Sequence, residues 1–363
     1  MLQMQLEIDC EGPLALNDNA FELCREFLKP GGGRFFIQVS RYDRYLTDIA
    51  PRPAYQAGDA PKLILPFLKA HGLTNALIRD FSRQHIRLLT GAEAAYQFLH
   101  RCNFPIFAIS TSYRQFAEAV GTRLGFDPEH IFCTELDLDR YSLTPAEAAE
   151  LRRLEEEILA APAIELPAGA RSLTDLPGPV QEAIGRLERI FLERLPQMQI
   201  GVLLQEVKPV GGAEKAKAVA DSLAKTGFTL ADTIYVGDSI TDVQALKAVR
   251  AGGGLAVSFN GNRYALEAAE VVLVSDCAWP VALLTAIFRQ WGKDGVLEVA
   301  APETRTKSRA LVLPEEMIEP ILMGLQGHLC NIYLSSSPNR EQMTRESEAM
   351  RARLRREAIA ALG

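Results

Sequence analysis

Short apolar runs recur along the chain, and most are followed by a stretch with helical periodicity. Such runs are typical of buried strands in a parallel sheet. They are LQMQLEI near the N-terminus, then FPIFAIS, HIFCTELDL, TIYVG, GLAVSFN and VVLVSD. Because strands and helices alternate, the pattern predicts the α/β class with a doubly wound parallel sheet.

The segments between these strands divide the chain into predicted domains. The sheet core is expected in three separate ranges, residues 1–13, 101–143 and 196–295. Residues 14–100 are mostly helical in pattern and predict a helical cap. Residues 144–195 combine charged and amphipathic helices with a loop rich in Pro, Gly and Ala, which indicates an extra helical insertion. Residues 296–363 predict a helical extension that packs on the core, on another copy or on a protein partner.

The cap region raises two questions, which residue caps its first helix and what its arginines do. Asn19 followed by Glu22 fits the start of the first helix, with Asn19 as its cap, and Asp18 is assigned to a turn or cap. The run GRFFIQVSRYDRYL carries cations that either bind substrate or lie on a solvated helix face with a buried aromatic side. The second interpretation is favoured. These cations are Arg34, Arg41 and Arg44.

Composition and charge exclude several classes of function. The net charge is −7, so a general nucleic-acid role has no electrostatic support. The N-terminus lacks a signal-peptide pattern, and no apolar run is long enough to span a membrane. The six cysteines include no C-x-x-C pair. We therefore expect a cytoplasmic protein with buried free thiols and neither nucleic acid nor membrane as a partner.

Polar residues stand just after the apolar runs, at the edge where open α/β sheets bind ligands. Asp9 follows QLEI, Ser110 follows FPIFAI, and Asp238 and Asp242 follow TIYVG, while Lys215 begins a predicted helix. A carboxylate can attack phosphorus, other carboxylates can hold Mg²⁺, and a lysine and a hydroxyl can bind phosphoryl oxygens. The set therefore indicates phosphoryl transfer through an aspartyl phosphate.

These segments resemble the motifs of the haloacid dehalogenase (HAD) superfamily. IDCEGPL is similar to its first motif, AISTSY to its second, and EKAKAVADSLAKTGFTLADTIYVGDSITD to its third and fourth together. The resemblance is to phosphoserine-phosphatase-like members with a helical C1 cap. It is strongest to R-like HAD-type subunits associated with energy-converting hydrogenase A. It implies a HAD-like Rossmannoid core, a Mg²⁺ cofactor and a small phosphorylated substrate.

The resemblance also implies a role for each residue that matches a motif. Asp9 corresponds to the nucleophile and Glu11 to the general acid. Ser110, with Thr111 beside it, corresponds to the phosphate-binding hydroxyl, and Lys215 to the phosphate-binding lysine. Lys215 is preferred because its distance along the chain from Asp238 matches the family; the nearby alternatives are Lys208 and the runner-up Lys217.

The implied metal ligands come from the first and last motifs. Asp9 and Asp238 correspond to direct ligands, and Glu11 contributes its main-chain carbonyl. Asp242 either reaches the metal through water or orients Lys215.

Glu11 departs from the family pattern, because HAD phosphatases generally have aspartate at this position. The extra methylene moves the carboxyl group by about 1.5 Å, and a misplacement of about 1 Å can reduce the rate by on the order of a hundredfold. Three interpretations follow: a normal acid on a shifted backbone, a substrate with a good leaving group, or a catalytically weak regulatory or assembly factor. We favour the enzyme, a Mg²⁺-dependent phosphohydrolase.

Overall fold

The computed structural model describes residues 2–52, 55, 57–167, 169–301 and 313–355. Seven strands in these ranges form one sheet in the order β3-β2-β1-β4-β5-β6-β7. All neighbouring strands are parallel except β6 and β7. The predicted α/β class with a doubly wound sheet is confirmed. The strands are β1 (Gln5–Asp9), β2 (Ile106–Tyr113), β3 (Ile131–Thr134), β4 (Thr233–Gly237), β5 (Leu255–Phe259), β6 (Val271–Ser275) and β7 (Cys330–Leu334).

Helices connect the strands and cover the sheet, and the described ranges also contain short 3₁₀ turns and one π-helical stretch. In chain order they are α1 (Asn19–Phe27), α2 (Gly32–Asp48), α3 (Ala60–Ala70), α4 (Asn75–His85), α5 (Ala92–Arg101), α6 (Arg114–Leu124), α7 (Pro145–Leu159), α8 (Gly178–Glu188), α9 (Leu203–Glu206), α10 (Ala213–Thr226), α11 (Val243–Ala251), α12 (Arg263–Ala268), α13 (Trp279–Ala300), α14 (Glu315–Leu325) and α15 (Arg340–Arg355). None of the helices in the described ranges is long and apolar enough to cross a lipid bilayer.

The central strands β1 and β4 are buried along their whole length. This explains their apolar sequences, because helices on both faces leave no side of the sheet in water. Asp9 lies opposite Ile109 on β2, and Ile8 lies opposite Val236 on β4. The strands run parallel, so the residues after their carboxyl ends meet at one edge of the sheet.

The helices of the cap and those of the predicted insertion share one apolar cluster. Phe191, from the π-helical stretch that follows α8, stacks on Tyr42 of α2 with ring centroids 5.7 Å apart. It also meets Phe67 of α3 edge-on at 6.2 Å. Helix α5 instead packs with the sheet through Tyr96 and Leu99. Residues of the insertion therefore complete the hydrophobic core of the cap helices.

The sequence predicted a helical C-terminal extension, but this region also contains the strand β7. Strand β7 pairs antiparallel with β6, and Ile332 lies opposite Leu273. Five residues of mixed character, CNIYL, carry too little periodicity to distinguish a strand from a helix. Helix α15 packs on the core through Met343 and Met350, which was one of the expected alternatives. The end of the predicted tail helix, residues 356–363, lies outside the described residues.

The first cap helix is capped by Asp18. Its Oδ1 accepts a hydrogen bond from the main-chain N–H of Phe21 at 2.9 Å. The prediction of Asn19 as the cap is wrong by one residue, because the side chain of Asn19 points instead to Ser82, with Nδ2 3.4 Å from Oγ. The assignment of Asp18 to a turn or cap is confirmed.

All six cysteines are free thiols, and four of them are buried.

Candidate active site

Three carboxylates meet where β1 and β4 end. Asp9 is the last residue of β1, Asp238 follows β4, and Asp242 closes the 3₁₀ turn after it. One oxygen from each lies within 4.8 Å of the others, and all three residues are at most 4% exposed. The structure thus brings together the three acids that the sequence assigned to one site.

Lys215 on α10 lies beneath two of these acids. Its Nζ is 2.8 Å from Oδ2 of Asp9 and 2.7 Å from Oδ1 of Asp242, and the side chain is fully buried. Burial disfavours the charged ammonium, but the two carboxylates outweigh it and raise the pKa of Lys215. Lys217 pairs with a neighbouring acid on the helix surface, and Lys208 is exposed. Of the three candidate lysines, Lys215 alone contacts the acids.

Asp242 holds the lysine and the loop after β4 in place. Its Oδ1 accepts hydrogen bonds from Lys215 Nζ and from the hydroxyl of Tyr235 at 2.8 Å. Its Oδ2 accepts from the main-chain N–H groups of Asp238 at 3.1 Å and Ser239 at 3.0 Å. Burial opposes ionisation, but these donors outweigh it and lower the pKa of Asp242. This geometry suits an orienting role for Asp242 better than direct metal ligation.

Asp9 has hydrogen-bond donors on both oxygens. Oδ1 accepts from the main-chain N–H of Cys10 at 2.7 Å, and Oδ2 accepts from Lys215. Burial raises the pKa of Asp9 well above its ordinary value; Lys215 opposes this, while Asp242 and Asp238 add to it. Further positive charge near Asp9 would favour the ionised form that a nucleophile needs.

Glu11 reaches the start of helix α1. Its Oε1 accepts a hydrogen bond from the main-chain N–H of Asn19 at 2.7 Å, which is where the longer side chain is accommodated. Burial and the charge of Asp18 raise the pKa of Glu11 to about 7, against the opposing effects of Arg355 and the Asn19 N–H. A carboxyl group that titrates near neutral pH suits general acid and base catalysis.

Gly12 allows Asp238 to approach the loop after β1. Its φ of +113° lies where side chains are disfavoured, and a Cβ there would come within 2.2 Å of Asp238 Oδ2. A glycine is therefore required next to the site.

Both predicted phosphate-binding hydroxyls lie on the β2 flank of Asp9. Ser110 is fully buried, and its Oγ accepts a hydrogen bond from the main-chain N–H of Ser112 at 3.1 Å. Thr111 lines the pocket described below, and its Oγ1 donates to the main-chain oxygen of Val210 at 2.9 Å. Their roles in phosphate binding stay predictions.

A cavity of about 110 Å³ lies between the sheet edge and the cap. Asp9, Glu11 and Asp238 line it from the sheet side. The cap contributes Phe36, Ser40, Asp43 and Pro61 among its walls. The mixed polar and apolar lining suits a small polar metabolite.

The cap arginines do not line this cavity. Arg34 donates to the main-chain oxygen of Leu159 at 2.9 Å, and Arg41 donates to that of Ile164 at 2.9 Å. Arg44 pairs with an acid on its own helix. Arg34 and Arg41 bind the main chain of the insertion. These contacts do not support substrate binding by the arginines of this run.

Sequence reasoning missed two arginines of α15 that enter the site. Arg351 Nη1 forms an ion pair with Asp238 Oδ2, and Arg355 Nη1 lies 3.1 Å from the same oxygen. Both residues are at least 95% buried. With Ser347 they are spaced four residues apart and so share one helix face. The spacing of four residues in the tail sequence predicts a shared helix face, but it does not identify Asp238 as the partner of that face.

The acids of the site fit a hard divalent cation. Carboxylate oxygens are the ligands that Mg²⁺ prefers, and Asp9 and Asp238 present theirs close together. The raised pKa of Asp9 also agrees with a cation site, because a cation beside Asp9 would favour its ionised form.

The chain is similar over almost its whole length to a solved structure of unstated function. This is the structure of gene product AF1437 from Archaeoglobus fulgidus, with 28% sequence identity, a TM-score of 0.79 and 99% of each chain covered. No family model and no curated protein matches the chain.

Weaker likenesses were found to two other solved structures. A substrate-bound phosphoserine phosphatase is 13% identical with a TM-score of 0.43, over 75% of this chain and 93% of that one. A HAD family hydrolase from Salmonella enterica serovar Typhi is 11% identical with a TM-score of 0.43, over 72% of this chain and 64% of that one. Likenesses at this level assign no activity to the chain.

Proposed function

We propose that the chain is a HAD-type phosphohydrolase that acts on a small phosphorylated metabolite through an aspartyl phosphate. The observation that carries the proposal is the buried contact of Lys215 with Asp9 and Asp242, beside Asp238 and at the carboxyl edge of the sheet. A lysine held between two acids at this edge is what an attacking carboxylate and an anionic phosphoryl group require together.

In this proposal Asp9 attacks phosphorus while Glu11 protonates the leaving oxygen. Glu11 then accepts a proton from the water that hydrolyses the aspartyl phosphate. Lys215 neutralises phosphoryl charge, and Ser110 and Thr111 supply hydroxyl groups. When bound, Mg²⁺ would be held by carboxylates at this edge and by a main-chain carbonyl of the first motif, and would supply positive charge to the phosphoryl oxygens.

The remaining groups position the reacting ones. Asp242 orients Lys215 and the loop that carries Asp238. The cap helices α1–α3 contribute to the cavity wall, and closure of these helices over the substrate would exclude water.

A panel of phosphate esters assayed with Mg²⁺ tests the proposal. The wild type should hydrolyse at least one ester, and Asp9→Asn should abolish that activity because the amide cannot form the acyl phosphate. Asp221→Asn is the matched control, because Asp221 is half-exposed on α10 and pairs with Lys217 away from the cavity. Activity that survives in Asp9→Asn would contradict the mechanism.

The second candidate is a catalytically weak HAD-fold factor that binds metal, phosphate and a protein partner. The ion pairs of Arg351 and Arg355 with Asp238 favour it, because they occupy an acid that a metal would use. The resemblance to hydrogenase-associated subunits suggests the kind of partner. Absent turnover across the panel, together with a stable stoichiometric complex, would support this candidate over the enzyme.

A further inference from the structure

Helix α15 supplies the positive charge on the cavity wall. Arg351 and Arg355 line the cavity, and no other cationic side chain among the described residues does so. Lys215 lies beneath the wall, fully buried and shared by two acids. Among the described residues, these two guanidinium groups are therefore the cationic groups on the wall of this acidic cavity that could attract a negatively charged substrate.

The arginines lie on one flank of the nucleophile. Strand β1 is flanked by β2, which carries Ser110 and Thr111, and by β4, which leads to Asp238. Both arginines contact Asp238, so they lie on the side away from the predicted phosphate-binding hydroxyls. Arg355 also lines the same cavity as Glu11, the proposed proton donor. This is the side on which the leaving group would lie.

Arg355 has an unused donor in this position. Its Nη1 lies 3.1 Å from Asp238 Oδ2, and its Nη2 donates to the main-chain oxygen of Asn17 at 2.8 Å. Its Nε–H is buried and has no hydrogen-bond partner within the described ranges. A buried donor without a partner is unfavourable, and an oxyanion would satisfy it.

We propose that Arg355, with Arg351 beside it, binds a second anionic group on the leaving-group side of the substrate. The substrate class is then a phosphate monoester whose alcohol carries a further oxyanion, either a carboxylate or a second phosphate. This inference rests on the proposed phosphohydrolase function. The planar guanidinium of Arg355 suits an oxyanion because it offers several donors in one plane.

Three short esters test the subsite by kinetics with Mg²⁺. Ethyl phosphate lacks a second anion, 2-phosphoglycolate carries a carboxylate, and ethane-1,2-diol bisphosphate carries a phosphate. The wild type should prefer one of the charged esters over ethyl phosphate in kcat/KM, mainly through KM. Arg355→Gln should reduce this preference by on the order of tenfold to a hundredfold, as expected for loss of a charge-assisted hydrogen bond.

Two further variants separate the subsite from general effects. Arg353→Gln removes an arginine of the same helix that is 60% exposed and pairs with Asp276, and it should keep the preference. Arg355→Lys keeps the charge without the planar fork, so it should show a partial loss. If Arg355→Gln does not fold, Arg355→Lys takes its place in the kinetic test. Equal loss in Arg353→Gln, or no preference in the wild type, would overturn the subsite.

A binding experiment distinguishes failure of the subsite from failure of the proposed function. Calorimetry of the Asp9→Asn protein with the same esters needs no turnover. Tighter binding of a charged ester, lost when Arg355→Gln is added, supports the subsite even if the wild type hydrolyses nothing. Equal binding of all three esters refutes it. The subsite is also refuted if Arg355→Gln binds Mg²⁺ more tightly and hydrolyses ethyl phosphate faster than the wild type. That result would mean that Arg355 blocks Asp238 instead of binding substrate.

Discussion

Replacing Glu7 with glutamine should make the protein more stable at neutral and alkaline pH. Glu7 lies in β1, two residues before Asp9, and is fully buried. Its Oε1 accepts hydrogen bonds from Gln5 Nε2 at 2.7 Å and from the hydroxyl of Ser222, whereas Oε2 has no partner in the described part of the chain. Burial outweighs these hydrogen bonds and raises the pKa of Glu7 to about 8.

The size of the effect follows from proton linkage. Between the ordinary pKa of 4.5 and the folded pKa of about 8, the unfolded chain releases a proton that the folded protein keeps. The unfolded state then binds fewer protons, so the free energy of unfolding falls as the pH rises through this window. At about 1.4 kcal/mol per pKa unit, the loss between pH 5 and pH 9 is on the order of 4 kcal/mol.

Glutamine resembles the protonated carboxyl group in shape but does not titrate. Urea unfolding of the wild type and of Glu7→Gln from pH 5 to pH 9 measures the difference, and the other titrating groups cancel in it. The stability advantage of Glu7→Gln should increase by about 4 kcal/mol over this range, on the order of the linkage estimate. Glu348→Gln, at an exposed position of α15, is the control and should show no such trend. Parallel stability curves for the wild type and Glu7→Gln would refute the argument.

Two further substitutions test the loop after β1. Glu11→Gln should lower kcat/KM for alkyl phosphates by about a hundredfold or more, and for p-nitrophenyl phosphate much less, because kcat/KM reports departure of the leaving group and only a poor leaving group needs the acid. Wild-type kcat on alkyl phosphates should fall as the pH rises above about 7, the pKa of Glu11, and a flat profile would count against its role as the acid. Gly12→Ala should destabilise the fold more than Gly227→Ala by about 1 to 3 kcal/mol in urea unfolding. Both have positive φ, but only at Gly12 would a Cβ meet Asp238.

The grouping of the site acids was predictable because it depends on strand ends. Asp9 and Asp238 each follow a short apolar run, and parallel buried strands present their carboxyl ends at one edge. The family resemblance favoured Lys215 over Lys217 by its distance along the chain from Asp238, and the structure shows Lys215 buried against the acids. Glu11 could be recognised as an acid at the general-acid position of the first motif, but its contact with the start of α1 could not be predicted from the sequence.

The α/β class and the chemical identity of the edge residues follow from the amino-acid sequence alone, since apolar periodicity and chain order are local properties. Three features depend on the folded chain: Arg351 and Arg355 meet Asp238, β7 joins the sheet, and the insertion completes the core of the cap helices. Each of these contacts joins segments far apart in the chain. The energy of such a contact comes from burial and charge pairing between the two segments, and neither segment's own pattern specifies its partner.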